Sequence, residues 1–311
     1  MSAPEISIII PVFNAEKYLE RCLDSVIESL DKTKGEIIAI DNNSTDNSLL
    51  ILKKYAKKYP KIIEVLECKA WGAAAVRNYG AKNAKGTYLW FIDADDYIDK
   101  SAIPKLLKQA KEKKSDIVMM GALKIARNGE RRYYSAVDES LANYKSRFIR
   151  YGMGPWQVIV CRKWWMERKF EFREGLIHED MELMSSLILY TDNYSHIDDS
   201  LYYYCDNPNS VLHKEEFNPH IFDIFPVLEG LYDRFKTAGA EKKYHDELEW
   251  FFIWNLLLDS AEDFSKFPEG KPGFMRSRKL LKAYFPEWRK NRFLRQKSLG
   301  LKIRVRLNYY K

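Results

Sequence analysis

The run Glu5-Ile6-Ser7-Ile8-Ile9-Ile10-Pro11-Val12-Phe13-Asn14 constrains the fold of this chain more than any other stretch. It is β-branched and almost continuously apolar, which suits a central parallel strand covered by helices on both faces. The pattern then repeats at βαβ intervals. Residues 15–30 carry apolar side chains at helical spacing (Tyr18, Leu19, Cys22, Leu23, Val26, Ile27, Leu30). Residues 36–40 read as a second strand, 47–59 as a helix stopped by Pro60, and 62–66 as a third strand. This alternation predicts a doubly wound α/β sheet. A chain of 311 residues can bury a full core, so one large domain plus a smaller addition is expected.

The next strand carries the chemistry. Tyr88-Leu89-Trp90-Phe91-Ile92-Asp93-Ala94-Asp95-Asp96 is an apolar, aromatic run that stops in three carboxylates. Ligands of α/β sheets gather at the carboxyl ends of strands. Asp-x-Asp delivered to that edge offers hard oxygens to a divalent cation. A surface turn would also place Asp there. Three carboxylates behind a buried strand repel one another, however, so a metal carrying an anionic substrate explains them better. Before this strand, residues 71–86 form a small-residue helix with Arg77 near its middle, able to pack closely on the sheet.

Further along, residues 100–114 read as a helix and 116–121 as a strand, with a hairpin signal at Asn128-Gly129. An aromatic-rich middle contains Gly154-Pro155-Trp156. Ile177-His178-Glu179-Asp180 opens a helix over 181–190, residues 201–204 form a strand, and His213 follows a polar loop. From residue 218 the pattern is helical, over 221–235 and 242–264. Cys22, Cys68, Cys161 and Cys205 lack CxxC spacing, so neither a zinc site nor a disulfide framework is indicated. No signal peptide or membrane-spanning run is evident, and a reducing, cytoplasmic setting is expected.

These stretches together resemble the family 2 glycosyltransferases, inverting nucleotide-sugar-dependent enzymes with a GT-A fold. The resemblance rests on residues 7–14 with Tyr18-Leu19, on Asp41-Asn42-Asn43-Ser44-Thr45-Asp46, on Ala75-Val76-Arg77-Asn78-Tyr79-Gly80, on residues 86–96, and on Glu179-Asp180. It implies a GT-A doubly wound mixed sheet flanked by helices, with an added C-terminal helical region. The expected domains are a catalytic domain over 1–213 and a helical region over 214–311. The catalytic domain divides into a nucleotide-binding half over 1–99 and an acceptor half over 100–213.

The resemblance assigns roles residue by residue. Asp95 would ligate Mn²⁺ or Mg²⁺, with Asp93 facing the ribose and the metal's water shell, Ala94 between them, and His213 as the candidate third ligand. Pro11, Val12, Phe13 and Asn14 would wall the base pocket with Asp41, and Arg77 would lie by the base and diphosphate. The family turn usually reads Asp-Asp, its second residue accepting the uracil N3–H. Here that position is Asn42, whose amide oxygen can also accept, but without charge. A UDP-sugar is therefore the favoured donor, with dTDP as the rival. Asp180 matches the general base, and Glu179 would orient the acceptor or the base. Trp156 and His178 are acceptor-site candidates. Asp96 either fixes the site or caps the following helix. Hexosyl or N-acetylhexosaminyl transfer to a glycan or lipid-linked acceptor, in bacterial cell-surface polysaccharide synthesis, is the implied activity. A non-catalytic GT-A-like binding module is the alternative.

Other readings fit less well. Asp95-Asp96-Tyr97-Ile98-Asp99 matches DDxxD, but prenyl-diphosphate enzymes carry that motif on a long helix. His178-Glu179-Asp180-Met181-Glu182 lacks a zinc protease's second histidine, and the first strand is not followed by GxGxxG. Charge adds one more expectation. Residues 271–311 hold fourteen Lys/Arg against Glu287, a balance of +13, so the rest of the +7 chain sums to about −6. Interleaved with apolar residues, this basic tail suits an anionic inner-membrane surface better than nucleic acid, for which no module motif is present.

Overall fold

The predicted alternation forms the frame of the computed structural model, which describes residues 3–31, 33–126, 128–133, 144–207 and 216–311. Strands β1 (Ile6–Val12) and β2 (Gly35–Asp41) pair in parallel, Val12 opposite Asp41, and β3 (Ile63–Glu67) extends the sheet beyond β2. Helices α1 (Leu19–Ser29), α2 (Ser48–Lys58) and α3 (Gly72–Asn83) make the crossovers. On the other side of β1 lies β4 (Tyr88–Phe91), also parallel. Ile6, Ile8, Ile9 and Ile10 are fully buried, each side chain contributing about 1.5–3 kcal/mol on burial. The expectation for α3 holds in detail: a Cβ at Gly80 would collide with Ile9 and lie 2.8 Å from Ile40.

Beyond β4 the sheet becomes mixed. The chain continues through β5 (Tyr97–Ile98), α4 (Ala102–Lys113), β6 (Ile117–Ile125) and β7 (Arg131–Tyr133), then α5 (Tyr144–Tyr151), β8 (Val158–Cys161), α6 (Arg162–Glu167), α7 (Glu179–Met184) and β9 (Tyr194–Cys205). The strand order is β3-β2-β1-β4-β8-β6-β9-β5, with β7 on β6 forming the hairpin signalled by Asn128-Gly129. Strand β8 runs antiparallel to β4 and β6, whereas β9 runs parallel to β6. The carboxyl end of β9 therefore returns to the sheet edge where β1, β2 and β4 end. A register shift at Gly121 accompanies this pairing, and a Cβ there would lie 3.0 Å from the Asp199 carbonyl.

All nine strands belong to one compact unit, made of Met1–Asp138, Gly154–Gly175 and Thr191–Pro208. A second unit comprises Glu139–Met153, Leu176–Tyr190 and Asn209–Lys311. It is helical and contains α5, α7, α8 (Ile224–Thr237), α9 (His245–Trp254), α10 (Ser260–Lys266), α11 (Pro272–Tyr284), α12 (Arg292–Arg295) and α13 (Leu299–Tyr310). The long helix expected over 242–264 is broken by a π-helical turn, Asn255–Asp259. The helix expected over 181–190 is shorter, passing into a 3₁₀ turn at Leu187–Tyr190. Among the described residues no helix is long and apolar enough to cross a membrane.

Candidate active site

The site is built where β1, β2 and β4 end. Asn14 (φ 48°) and Asn43 (φ 59°) take left-handed conformations that asparagine tolerates. They turn two loops toward each other, and the loops latch together. The Asn14 carboxamide oxygen accepts from the Thr45 N–H at 2.8 Å, and the Asn14 N–H donates to Ser44 Oγ at 3.1 Å. The Ala15 and Glu16 N–H groups donate to Ser48 Oγ and Asp46 Oδ2. Behind this latch Asp41 is buried. Its Oδ2 accepts from the Ser44 N–H, while Oδ1 has no hydrogen-bond partner among the described residues.

Asn42 has a defined orientation. Its Nδ2 donates to the carbonyls of Cys68 and Ala70, both at 2.7 Å, so Oδ1 is the side left to accept from a ligand. Of the residues expected to wall a base pocket, Phe13 is exposed and Pro11 half-buried. Val12 departs from the expectation. It has no exposed surface and packs in the core of the sheet, where the side-chain alternation of β1 sends it.

The Ala75–Gly80 motif has a separate task for each polar residue. Buried Arg77 donates to Asp93 Oδ1 at 3.0 Å, with its guanidinium 5.5 Å from the centre of the Phe172 ring. A solvated helix arginine is thereby excluded. Asn78 exchanges two hydrogen bonds with the Phe172 backbone, each 2.8 Å, fixing that segment against α3.

The three carboxylates divide the work. Asp96 is 1% exposed and accepts from the Tyr202 hydroxyl at 2.6 Å and the Cys205 N–H at 2.7 Å. It ties β9 to the end of β4 and does not cap α4, whose preceding turn is held by Asp99 through Ser101. Tyr202 also accepts from the Asp93 N–H, at 3.2 Å. Asp95 accepts from Asn207 Nδ2 at 2.8 Å through Oδ2, and the Asp95 carbonyl accepts from Arg21 at 2.7 Å. Ala94 is a buried spacer between them.

Burial raises the Asp95 carboxyl above the usual carboxylate range, with Asp93 adding to the effect. Burial, then Asp95 and Asp93, raise Asp96 well above it. The Cys205 thiol beside them is pushed up to about 11, chiefly by burial. Excess negative charge held out of water suits a hard divalent cation. With Asp96 committed to Tyr202 and Cys205, Asp93 and Asp95 are the carboxylates of this motif left to offer oxygens, among the described residues. Two carboxylates of this kind suit Mg²⁺ or Mn²⁺, hard cations that take the rest of their ligands from other oxygens. His213 lies outside the described residues.

Among the described residues, the one three-ligand cluster close enough to share an ion is His245, Asp246 and Glu249, in the helical unit. It is already braced: Asp246 pairs with Arg292 at 3.1 Å, and Glu249 accepts from Asn291 at 2.7 Å. Two cavities, of about 380 and 500 Å³, are lined by Trp254, Asp259 and Arg304 and by Lys124, Glu130 and Asp206 respectively. Neither includes an aspartate of the Asp-x-Asp edge.

The acceptor candidates fare differently. Trp156 belongs to the core and offers no ring to a sugar. It is 5% exposed, stacked on Tyr202 at 4.6 Å and Tyr204 at 5.6 Å, because the aromatic strand β9 packs over it. His178 (φ 63°), Glu179 and Asp180 lie in the helical unit at the start of α7. Glu179 is buried and Asp180 half-buried, while burial raises the nearby Asp259 and Asp263 carboxyls above the usual carboxylate range. Tyr202, Asn207 and Arg21 carry no motif. The one sequence signal is the aromatic run Tyr202-Tyr203-Tyr204, read as a strand.

The sequence profile of the family described as "Glycosyl transferase family 2" matches residues 7–172. The chain is 29% identical over 258 residues to the uncharacterized glycosyltransferase EpsJ of Bacillus subtilis, covering 77% of this chain and 73% of that protein. It is 43% identical over 122 residues to the poly(ribitol-phosphate) beta-glucosyltransferase of Bacillus spizizenii, covering 39% of this chain and 19% of that one. The chain thus spans about a fifth of that relative's length. The crystal structure of Staphylococcus aureus TarS 1-349 in complex with UDP-GlcNAc has the same fold. Its TM-score is 0.78 at 23% identity, over 98% of this chain and 89% of that one.

Proposed function

The chain belongs to glycosyl transferase family 2 and is a glycosyltransferase; from that premise we propose that it moves a sugar from a UDP-sugar to a hydroxyl of a glycan or lipid-linked acceptor of a bacterial cell-surface polymer. The observation that carries this reading is the paired edge. Asp93 is held by Arg77, and Asp95 by Asn207, at the carboxyl ends of parallel strands. Two of the matched TarS structures are complexes, with UDP and with UDP-GlcNAc, and TarS is a poly(ribitol-phosphate) beta-N-acetylglucosaminyltransferase. Both facts support a uridine donor and an anionic wall polymer or its lipid-linked precursor as acceptor.

The residues supply the following chemistry. Asn42 Oδ1 accepts the base N3–H, which uracil and thymine share, and Phe13 and Pro11 flank the base. Arg77 places positive charge beside Asp93 at the diphosphate. Asp93 and Asp95 would hold Mg²⁺ or Mn²⁺, which would offset negative charge on the departing nucleoside diphosphate. Asp180 takes the acceptor hydroxyl's proton as that oxygen attacks the anomeric carbon, and attack opposite the leaving group inverts the centre. Glu179 orients the base. The positive charge of residues 271–311 supports an anionic inner-membrane surface as a further partner.

A nucleotide panel with and without Mn²⁺ tests the donor half: UDP should raise the melting temperature in a metal-dependent way, with GDP inert. Asp180→Asn should keep that response and lose transfer by at least about a hundredfold. Transfer that survives Asp180→Asn removes the base assignment. A response to no nucleotide diphosphate removes the donor reading. Nucleotide binding without transfer to any acceptor favours the non-catalytic binding module.

A further inference from the structure

The basic tail is not one amphipathic segment. Phe274, Leu280, Leu281, Phe285, Trp288, Phe293 and Leu294 are buried inside the helical unit, so these apolar residues of the tail are core. Apart from Met275 on α11, the exposed large apolar side chains of the tail lie on one face of α13. Its inner face is fixed by buried Val305, by Asn308, which donates to the Leu257 carbonyl at 2.8 Å, and by Tyr309, which packs on Trp288 at 5.0 Å. The opposite face carries Leu299, Ile303, Leu307 and Tyr310, exposed by 72, 48, 61 and 69%. At 3.6 residues per turn these four side chains fall within an arc of about 80° and run about 16 Å along the axis.

Cations border that arc on both sides, Lys302 and Arg306 on one flank, Arg304 and Lys311 on the other. Arg304 reaches Glu262 at 3.2 Å and Lys311 reaches Ser265 at 3.3 Å, anchoring their flank to α10. Between Trp288 and Lys311 the sequence holds nine Lys/Arg and no Asp or Glu.

We propose that this face of α13 is a docking surface for an anionic phospholipid bilayer. Leu299, Ile303, Leu307 and Tyr310 enter the acyl boundary while the flanking cations meet lipid phosphates. Charge selects the occupant. A second copy packed on the stripe would bring the same cationic borders against each other, and nucleic acid would leave the aliphatic side chains without a partner. Tyrosine at the end of the stripe suits an interface that is apolar on one side and wet on the other. The inference rests on reading the basic tail as membrane-facing, and it names the face that docks.

The experiment is co-sedimentation of the full chain with phosphatidylcholine vesicles, with and without about one-third phosphatidylglycerol. The full chain should bind the anionic vesicles only. Ile303→Gln with Leu307→Gln changes exposed side chains and should weaken binding by about tenfold or more. Lys279→Glu with Lys282→Glu on α11 should weaken it less. Unchanged melting temperatures show that the variants are folded. No binding of the full chain to anionic vesicles overturns the tail reading and the inference with it. Binding that Ile303→Gln/Leu307→Gln leaves intact overturns the α13 assignment alone, with the charged tail still attached. A dimer in solution that the same variant dissociates also overturns it, since a second copy then covers the stripe.

Discussion

The resemblance to family 2 leads one to expect aspartate where this chain has Asn42, and the structure gives a reason for the amide. Two carbonyl oxygens, of Cys68 and Ala70, converge on the side-chain nitrogen at 2.7 Å. An amide supplies the two N–H bonds they need; a carboxylate supplies none and faces both with like partial charge. Asn42→Asp therefore loses two hydrogen bonds at about 1 kcal/mol each, and repulsion adds to this unless the carboxylate swings away. Swinging away still forfeits both bonds, so about 2 kcal/mol is the floor and about 3 kcal/mol the expected loss at pH 8. Urea unfolding of wild type, Asn42→Asp and Asn42→Ala measures it. Alanine loses the same bonds without the charge, so it should sit near the floor, with aspartate below it in stability. The gap between the two should close on acidification, because a protonated carboxyl can donate to one carbonyl. Aspartate as stable as asparagine at pH 8 would refute the reasoning and return Asn42 to a neutral drift in sequence.

Two further expectations concern buried carboxylates. Tyr202→Phe removes a 2.6 Å donor from Asp96 and the acceptor of the Asp93 N–H, so unfolding should become easier by about 2 kcal/mol; equal stability would show that water replaces the hydroxyl. Burial raises Glu249 in α9 above the usual carboxylate range, against the hydrogen bond from Asn291. The native state therefore holds this proton more tightly than the unfolded chain does. Its contribution to stability falls as pH rises from the unfolded value through the raised native one. Glu249→Gln should be more stable than wild type at neutral pH, with the difference vanishing in acid, as thermal melts across pH would show.

How far the sequence disclosed this molecule depends on the range of each interaction. Ile6–Ile10, the helix before Pro60 and the small residues of α3 declare themselves because periodicity and side-chain size are local properties. The exposed side of α13 was hidden for the same reason. Helical spacing groups Leu299, Ile303 and Leu307, but only the packing of Asn308 and Tyr309 decides which arc faces in. Trp156 misled because an aromatic beside Gly154-Pro155 looks like a binding platform. Its stacking partners, Tyr202 and Tyr204, lie more than forty residues away in sequence. Strand β8 was illegible because Val158–Cys161 is a short apolar run that passes straight into a helix, without the closing carboxylates that mark the equally short β4.

The Asp-x-Asp edge shows what such hidden contacts do. Asp93, Asp95 and Asp96 can be recognised within the first hundred residues, yet each is set by something distant. Arg77 crosses from α3 to Asp93, while Tyr202, Cys205 and Asn207 all arrive at the end of β9. That strand reaches the edge because it runs parallel to β6 inside a sheet whose middle member, β8, is reversed. Without it, Asp96 would be a carboxylate beside two others, with neither a donor nor water, and burying it so would cost several kcal/mol. The motif and the mixed half of the sheet are therefore one device. The parallel strands present the carboxylates, and the late strand makes their burial tolerable, leaving Asp93 and Asp95 as the pair proposed to hold the ion.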